Sequence, residues 1–128
     1  FAGSDWIQFP LLTYSQYERR DVHFLYPDYI DYGKKGVHRF RKDFYDKMNS
    51  IPLTSHAYEG YALMRLFGKM MGKYGNYPVK GLQKEKFVPG YVLLGFDYSN
   101  TQSNGYVPIV KFTDSDLHIV NYPGKKSK

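Results

Sequence analysis

Val22-His23-Phe24-Leu25-Tyr26-Pro27-Asp28-Tyr29 is the stretch on which the fold turns. Its apolar run carries little polar interruption and reads as a short strand over 21–26, of the kind covered on both faces in a parallel α/β sheet. Pro27 has no N–H to give a ladder, so the chain is expected to leave the sheet there. Beyond it come an amphipathic helix, a short break and a second, more apolar helix that carries Ala57-Tyr58-Glu59-Gly60-Tyr61-Ala62.

The first helix is expected over 34–48. Val37, Phe40, Phe44 and Met48 recur at three- and four-residue steps and leave Arg39, Lys42, Asp43, Asp46 and Lys47 outside. Asn49-Ser50 and Pro52 close it. The second starts at Thr54 or Ser55, either of which can cap it, and runs to Tyr74 with Gly75 as the stop. Tyr61, Met64, Phe67, Met70 and Met71 cover a wide arc, and Arg65, Lys69 and Lys73 form a narrow polar stripe, so this helix is expected to be mostly buried. Its methionines read as core filling rather than as sulfur ligands.

Outward from this centre, Phe1-Ala2-Gly3 reads as the end of a strand entering a turn, and 4–20 as loop with a short helix near 10–17. A short helix over 79–86 should carry Leu82 inward. Strands are expected at 91–99, 106–112 and 117–122, with Asn104-Gly105 turning the first hairpin and Asp114-Ser115-Asp116 the second. The predicted architecture is α/β, with two main helices and a mixed sheet ending in a C-terminal β-meander. The bounds are 1–123 for the folded part and 124–128 for a disordered basic tail.

At 128 residues the chain holds one domain's worth of core. Its 14 tyrosines suit half-buried faces or ligand clefts, because the ring wants burial and the hydroxyl wants a partner. The net charge of +6 includes Lys125, Lys126 and Lys128 in the tail and helix-face lysines and arginines elsewhere, with no dense basic stripe. Nucleic acid is therefore not an expected partner. Cysteine is absent, which excludes disulfides, thiolate metal sites and cysteine nucleophiles. No run of about eighteen apolar residues is present to span a membrane. The chain opens on Phe1 rather than methionine, and the expectation is that the natural start was removed together with any targeting signal.

No motif for catalysis stands out. His23, His38, His56 and His118 have neither the four-residue helical spacing of a metal-binding helix nor an H-E-x-x-H context. The carboxylates are scattered without a reason to pair any two, and Asp114-Ser115-Asp116 lacks the spacing of a calcium loop. G-x-S-x-G, the phosphate loop and the dinucleotide fingerprint are all missing. The expectation is a non-enzyme with no metal and no cofactor.

Taken in order, several pieces resemble the C-terminal third of type 1 periplasmic binding proteins, the amino-acid and branched-chain-amino-acid receptors of ABC transporters. They are Phe1-Ala2-Gly3-Ser4-Asp5, Val22 through Asp31, and Phe40-Arg41-Lys42-Asp43-Phe44-Tyr45 with Ile51-Pro52. Ala57-Tyr58-Glu59-Gly60-Tyr61-Ala62-Leu63, the glycine-flanked strand from Gly90 to Phe96, and Asn104-Gly105-Tyr106-Val107-Pro108-Ile109-Val110 complete the series. The family's usual Gly-Tyr-Asp stands here as Gly60-Tyr61-Ala62, without the acid.

The resemblance implies two α/β lobes joined by chain crossings, closing on a small polar ligand such as an amino acid. Tyr26, Pro27 and Asp28 would form one crossing and part of the hinge. Asp5 matches the family segment whose acidic residue meets a ligand's amino group, and its other reading is a residue that shapes a turn. Trp6 beside it would stack on the ligand or pack. The family's N-terminal part, which supplies most of the ligand loops, has no counterpart in this sequence, so faces normally covered would be open, and a homodimer of the fragment or swapped strands would be unsurprising.

The implied partners are the small polar ligand and an ABC transporter permease. The implied location is periplasmic or on the outer surface, as a lipoprotein anchored through a missing N-terminal signal. Two alternatives stand beside this reading: an envelope interaction module of the same fold, linked to peptidoglycan synthesis or cell-wall binding, and a hydrolytic domain with an unidentified site.

Overall fold

The chain divides into two compact units, the first built from Phe1–Pro27 and the stretch from Val107 onward, the second from Asp28–Tyr106. The structure, a computed structural model, describes residues 1–123, and the basic tail expected at 124–128 lies outside the described residues. In chain order the elements are β1 (Ala2–Gly3), a 3₁₀ turn (Ser4–Gln8), α1 (Tyr14–Arg19), β2 (His23–Leu25), α2 (Lys35–Met48) and α3 (Ser55–Tyr74). They continue with α4 (Pro78–Lys84), β3 (Val88–Pro89), β4 (Gly95–Phe96), β5 (Ile109–Thr113) and β6 (Asp116–Ile119). The class is α/β, with a mixed four-stranded sheet and a separate two-stranded one.

The first unit is the four-stranded sheet with α1 against it. Its strand order is β1-β2-β5-β6, with β1 parallel to β2 and the other pairs antiparallel. Phe24 faces Val110 in register, and both are fully buried. Phe112, two residues on and on the same face, stacks on Tyr14 and Tyr17 of α1 at centroid distances of 4.7 and 5.9 Å. Tyr17 and Phe24 meet edge-on at 5.1 Å. These rings are the unit's core, and each contributes large apolar area in a favoured geometry.

Leu25, on the opposite face of β2, is 42% exposed. The strand is therefore not covered on both faces as its apolar run suggested. One helix covers one face of a mixed sheet, and strand alternation leaves Leu25 on the other. At the β5–β6 hairpin, Asp114 and Ser115 both take positive φ, 52° and 67°. That is the backbone of a type I′ turn, whose twist matches the strands it joins.

The second unit is helical, with a two-stranded pairing at one side. Its core joins Val37 and Phe40 of α2, Tyr58, Ala62, Leu66 and Met70 of α3, Leu82 of α4, and Val88, Val92 and Phe96. The first turn of α2 runs close to another backbone segment: a Cβ on Gly36 would sit 2.0 Å from the Tyr91 carbonyl oxygen, so only glycine fits. Beside it the Lys34 ammonium donates to the carbonyl oxygens of Gly90 and Leu93 at 2.6 and 2.9 Å. On the outer face of α2, Arg39 pairs with Asp43 and Lys42 with Asp46 at i,i+4 spacing.

Several expectations fail here, among them Met48, expected on the inner stripe of α2 but 64% exposed at its end. The buried stripe of α3 is Tyr58, Ala62, Leu66 and Met70, whereas Met64 and Met71 are 74% and 57% exposed and Phe67 is also exposed. With 3.6 residues per turn, about 100° per residue, Met64, Phe67 and Met71 fall on the side opposite Tyr58 and Leu66. A helix whose polar stripe is this narrow leaves a wide apolar arc, and its periodicity does not say which part of that arc is covered.

The strand expected over 91–99 is reduced to β4, which pairs with β3 and not with β5. The C-terminal β-meander therefore does not form. The Asn104 side chain accepts the backbone N–H groups of Asp97 and Tyr106 at 2.9 and 3.1 Å, which makes a closed loop where a hairpin turn was expected. Expectation and structure agree on the two main helices, the short third one and the β5–β6 turn.

Candidate functional site

β1 pairs with β2 through Ala2 opposite Phe24 and Gly3 opposite Leu25, and the 3₁₀ turn leaves its end immediately. Trp6 lies in that turn. Its carbonyl oxygen accepts the Phe9 N–H at 3.1 Å and a hydrogen bond from the buried Tyr17 hydroxyl. Its ring lies 5.5 Å from that of Phe9. Thr13 then starts α1, where its N–H donates to the Gln16 side-chain oxygen at 2.8 Å. The backbone of Trp6 is thus tied from two directions, and its ring remains half-exposed.

Trp6 lines a cavity of about 440 Å³ within the first unit, together with Leu12, Gln16, Tyr17, Arg20 and Val22. The size is that of a small-molecule pocket. An aromatic face, an apolar floor and two polar side chains, Gln16 and Arg20, meet there, and no carboxylate lines it. A guanidinium can bind a carboxylate through two parallel hydrogen bonds, and an indole face attracts an ammonium. The lining thus offers complementary groups for both charged ends of an amino-acid-like molecule.

Of the two residues singled out from the sequence for ligand binding, Trp6 lines this cavity. Asp5 is exposed and does not line it. Gln16 and Arg20 of the polar stretch 13–20 also line it and carry no functional signature of their own. The signal that could have found Gln16 is its spacing from Thr13, which matches a helix-capping box; nothing in the sequence marks Arg20.

Tyr26, Pro27 and Asp28 come directly after the end of β2. The Tyr26 N–H still donates to the Pro108 carbonyl oxygen at 2.9 Å, extending the β2–β5 pairing by one bond. Pro27 is the last residue of the first unit's N-terminal piece and Asp28 the first of the second unit. The chain returns to the first unit at Tyr106–Val107.

Among the electrostatically shifted groups elsewhere are Lys34 and Asp97. Burial lowers the Lys34 pKa from its ordinary value, with Asp31 opposing. Hydrogen bonds from the Ser99 hydroxyl, at 2.6 Å, and the Ser99 N–H, at 2.9 Å, hold the Asp97 carboxyl below its ordinary value. Both arrangements fix loops. Among the described residues no three His, Cys, Asp or Glu side chains come together in a way that could hold a metal ion. No described helix is long and apolar enough to cross a membrane. No protein-family model, curated protein or solved structure matches the chain.

Proposed function

We propose that the chain is a non-catalytic ligand-binding segment of a type 1 periplasmic-binding-protein-like receptor, taking a small polar molecule such as an amino acid and acting by lobe closure. In the whole protein it would serve an ABC transporter at the cell envelope. The observation that carries this reading is the division of the chain at Pro27–Asp28, where the apolar strand and its proline suggest a crossing. The Trp6 cavity supports it with an aromatic wall and the Arg20 guanidinium in one pocket.

The test is thermal unfolding of the chain against a panel of free amino acids. Binding to the folded state alone raises the midpoint with ligand concentration. A concentration-dependent rise with one chemical subset of the panel supports the reading, and an unchanged midpoint across the panel contradicts it.

A second reading, an envelope interaction module of the same fold, draws support from the second unit. Leu63, Phe67, Val79, Leu82 and Tyr98 line an apolar groove of about 430 Å³, with exposed Met64 and Met71 nearby on α3. Self-association that Phe67→Ser abolishes, with no response to amino acids, would favour it.

A further inference from the structure

The polar stripe of α3 is not uniform. Lys73 pairs with Glu85, whereas Arg65 and Lys69 have no ion pair with any described carboxylate. Lys69 does act on Glu85 through space, helping to hold its carboxyl down, but the pairing belongs to Lys73 and Tyr74. Arg65 is instead held by aromatic rings: its guanidinium lies 4.0 Å from the Tyr91 ring centroid and 5.8 Å from that of Tyr61. One terminal N–H of the guanidinium donates to the Tyr61 hydroxyl at 3.4 Å, and stacking on the rings fixes its plane while leaving the remaining N–H groups for a ligand.

Both cations line a cavity of about 310 Å³ that lies wholly within the second unit. Its floor is apolar and buried, from Leu66 of α3, Val88 of β3 and Phe96 of β4, and no carboxylate lines it. Two cations at i,i+4 spacing, neither in an ion pair with a described carboxylate, repel each other, and a bound anion would relieve that repulsion. An apolar floor under a cationic rim suits a molecule with one charged end and one greasy end.

We propose that this cavity is a binding site for a small carboxylate bearing an apolar or aromatic group, with Arg65 holding the carboxylate through its fixed fork and Lys69 adding a second charge. The site is independent of the Trp6 cavity and stands or falls without it. Lys69 contributes as a mobile point charge, so its loss costs less than the loss of Arg65.

Sodium benzoate is the probe, titrated at low salt into the full chain and followed by amide chemical shifts. Saturable shifts are expected at Gly90 and Tyr91, with binding weakened about tenfold or more by Arg65→Gln, in keeping with loss of a charge-assisted pair. Lys69→Gln should weaken it less, and Arg65→Lys should fall between wild type and Arg65→Gln. Unchanged amide spectra away from the site show that each variant is folded. Benzamide, neutral and of similar shape, should give no saturable shift. Equal binding of benzamide, equal binding of inorganic phosphate, insensitivity to Arg65→Gln, or shifts absent from Gly90 and Tyr91 would each overturn the proposal.

Discussion

The Tyr17 hydroxyl donates a hydrogen bond to the backbone carbonyl oxygen of Trp6, across eleven residues of sequence. It ties the sheet-facing side of α1 to the turn that carries the cavity's indole. The Trp6 carbonyl keeps its bond from the Phe9 N–H when the hydroxyl is removed, and the Tyr17 ring keeps its packing on Phe24 and Phe112. Tyr17→Phe should therefore cost only about 1 kcal/mol, the net worth of one neutral hydrogen bond. Urea unfolding measures it, and a loss above about 3 kcal/mol would mean the hydroxyl has a larger role than one bond to Trp6.

Asp114 and Ser115 hold left-handed backbone at the β5–β6 turn, where asparagine and glycine are the residues with least strain. The double substitution Asp114→Asn with Ser115→Gly should stabilise the chain by about 0.5–1 kcal/mol. A lower unfolding midpoint in the variant would show that the turn is not of this type.

Met70 is fully buried in the second unit and Met64 is largely exposed. Met70→Ala should cost about 2–5 kcal/mol through lost burial and a cavity, and Met64→Ala should stay within about 0.5 kcal/mol of wild type. Urea unfolding of the two variants separates the two faces of the same helix. Equal costs would restore the burial of the wide apolar arc that the sequence suggested.

That contrast also shows what was readable in advance. Phe40 and Val37 recur at helical steps against charged neighbours on α2, so their burial could be read from spacing. On α3 nearly every face is apolar, and tertiary packing alone chose the Tyr58–Met70 stripe. The strand run at Val22 to Tyr26 marked both β2 and the end of the unit at Pro27, but its partners were invisible because pairing with β5 joins residues far apart in sequence. At the cavity, Trp6 was legible only as the neighbour of Asp5 in the segment that carries the family resemblance. Arg20 was not legible, because an arginine in the Arg19-Arg20 pair at a helix end has the same local appearance whether it meets solvent or a pocket.

The Asp97 carboxyl gives a pH-dependent prediction. Ser99 lowers its pKa in the fold, first through the hydroxyl and then through the backbone N–H. The unfolded value lies near the ordinary aspartate pKa of about 3.9. The unfolded chain therefore binds more protons across this window, so the stabilisation is complete above about pH 3.9 and is lost as pH falls through the lowered folded value. Ser99→Ala should move the Asp97 pKa back toward the ordinary range and reduce this acid sensitivity, as read from a carboxyl NMR titration. An unchanged Asp97 pKa in the variant would remove the Ser99 hydroxyl as its cause.

Because Trp6 lines the proposed ligand cavity and is the only tryptophan, its fluorescence reports on that cavity alone. The most direct measurement is a titration of Trp6 emission with a panel of amino acids, repeated on Arg20→Gln. The ligand-binding account predicts a saturable change with a chemically related subset, weakened about tenfold or more when the guanidinium is lost. No saturable change with any member of the panel, or equal affinity in Arg20→Gln and wild type, would contradict it.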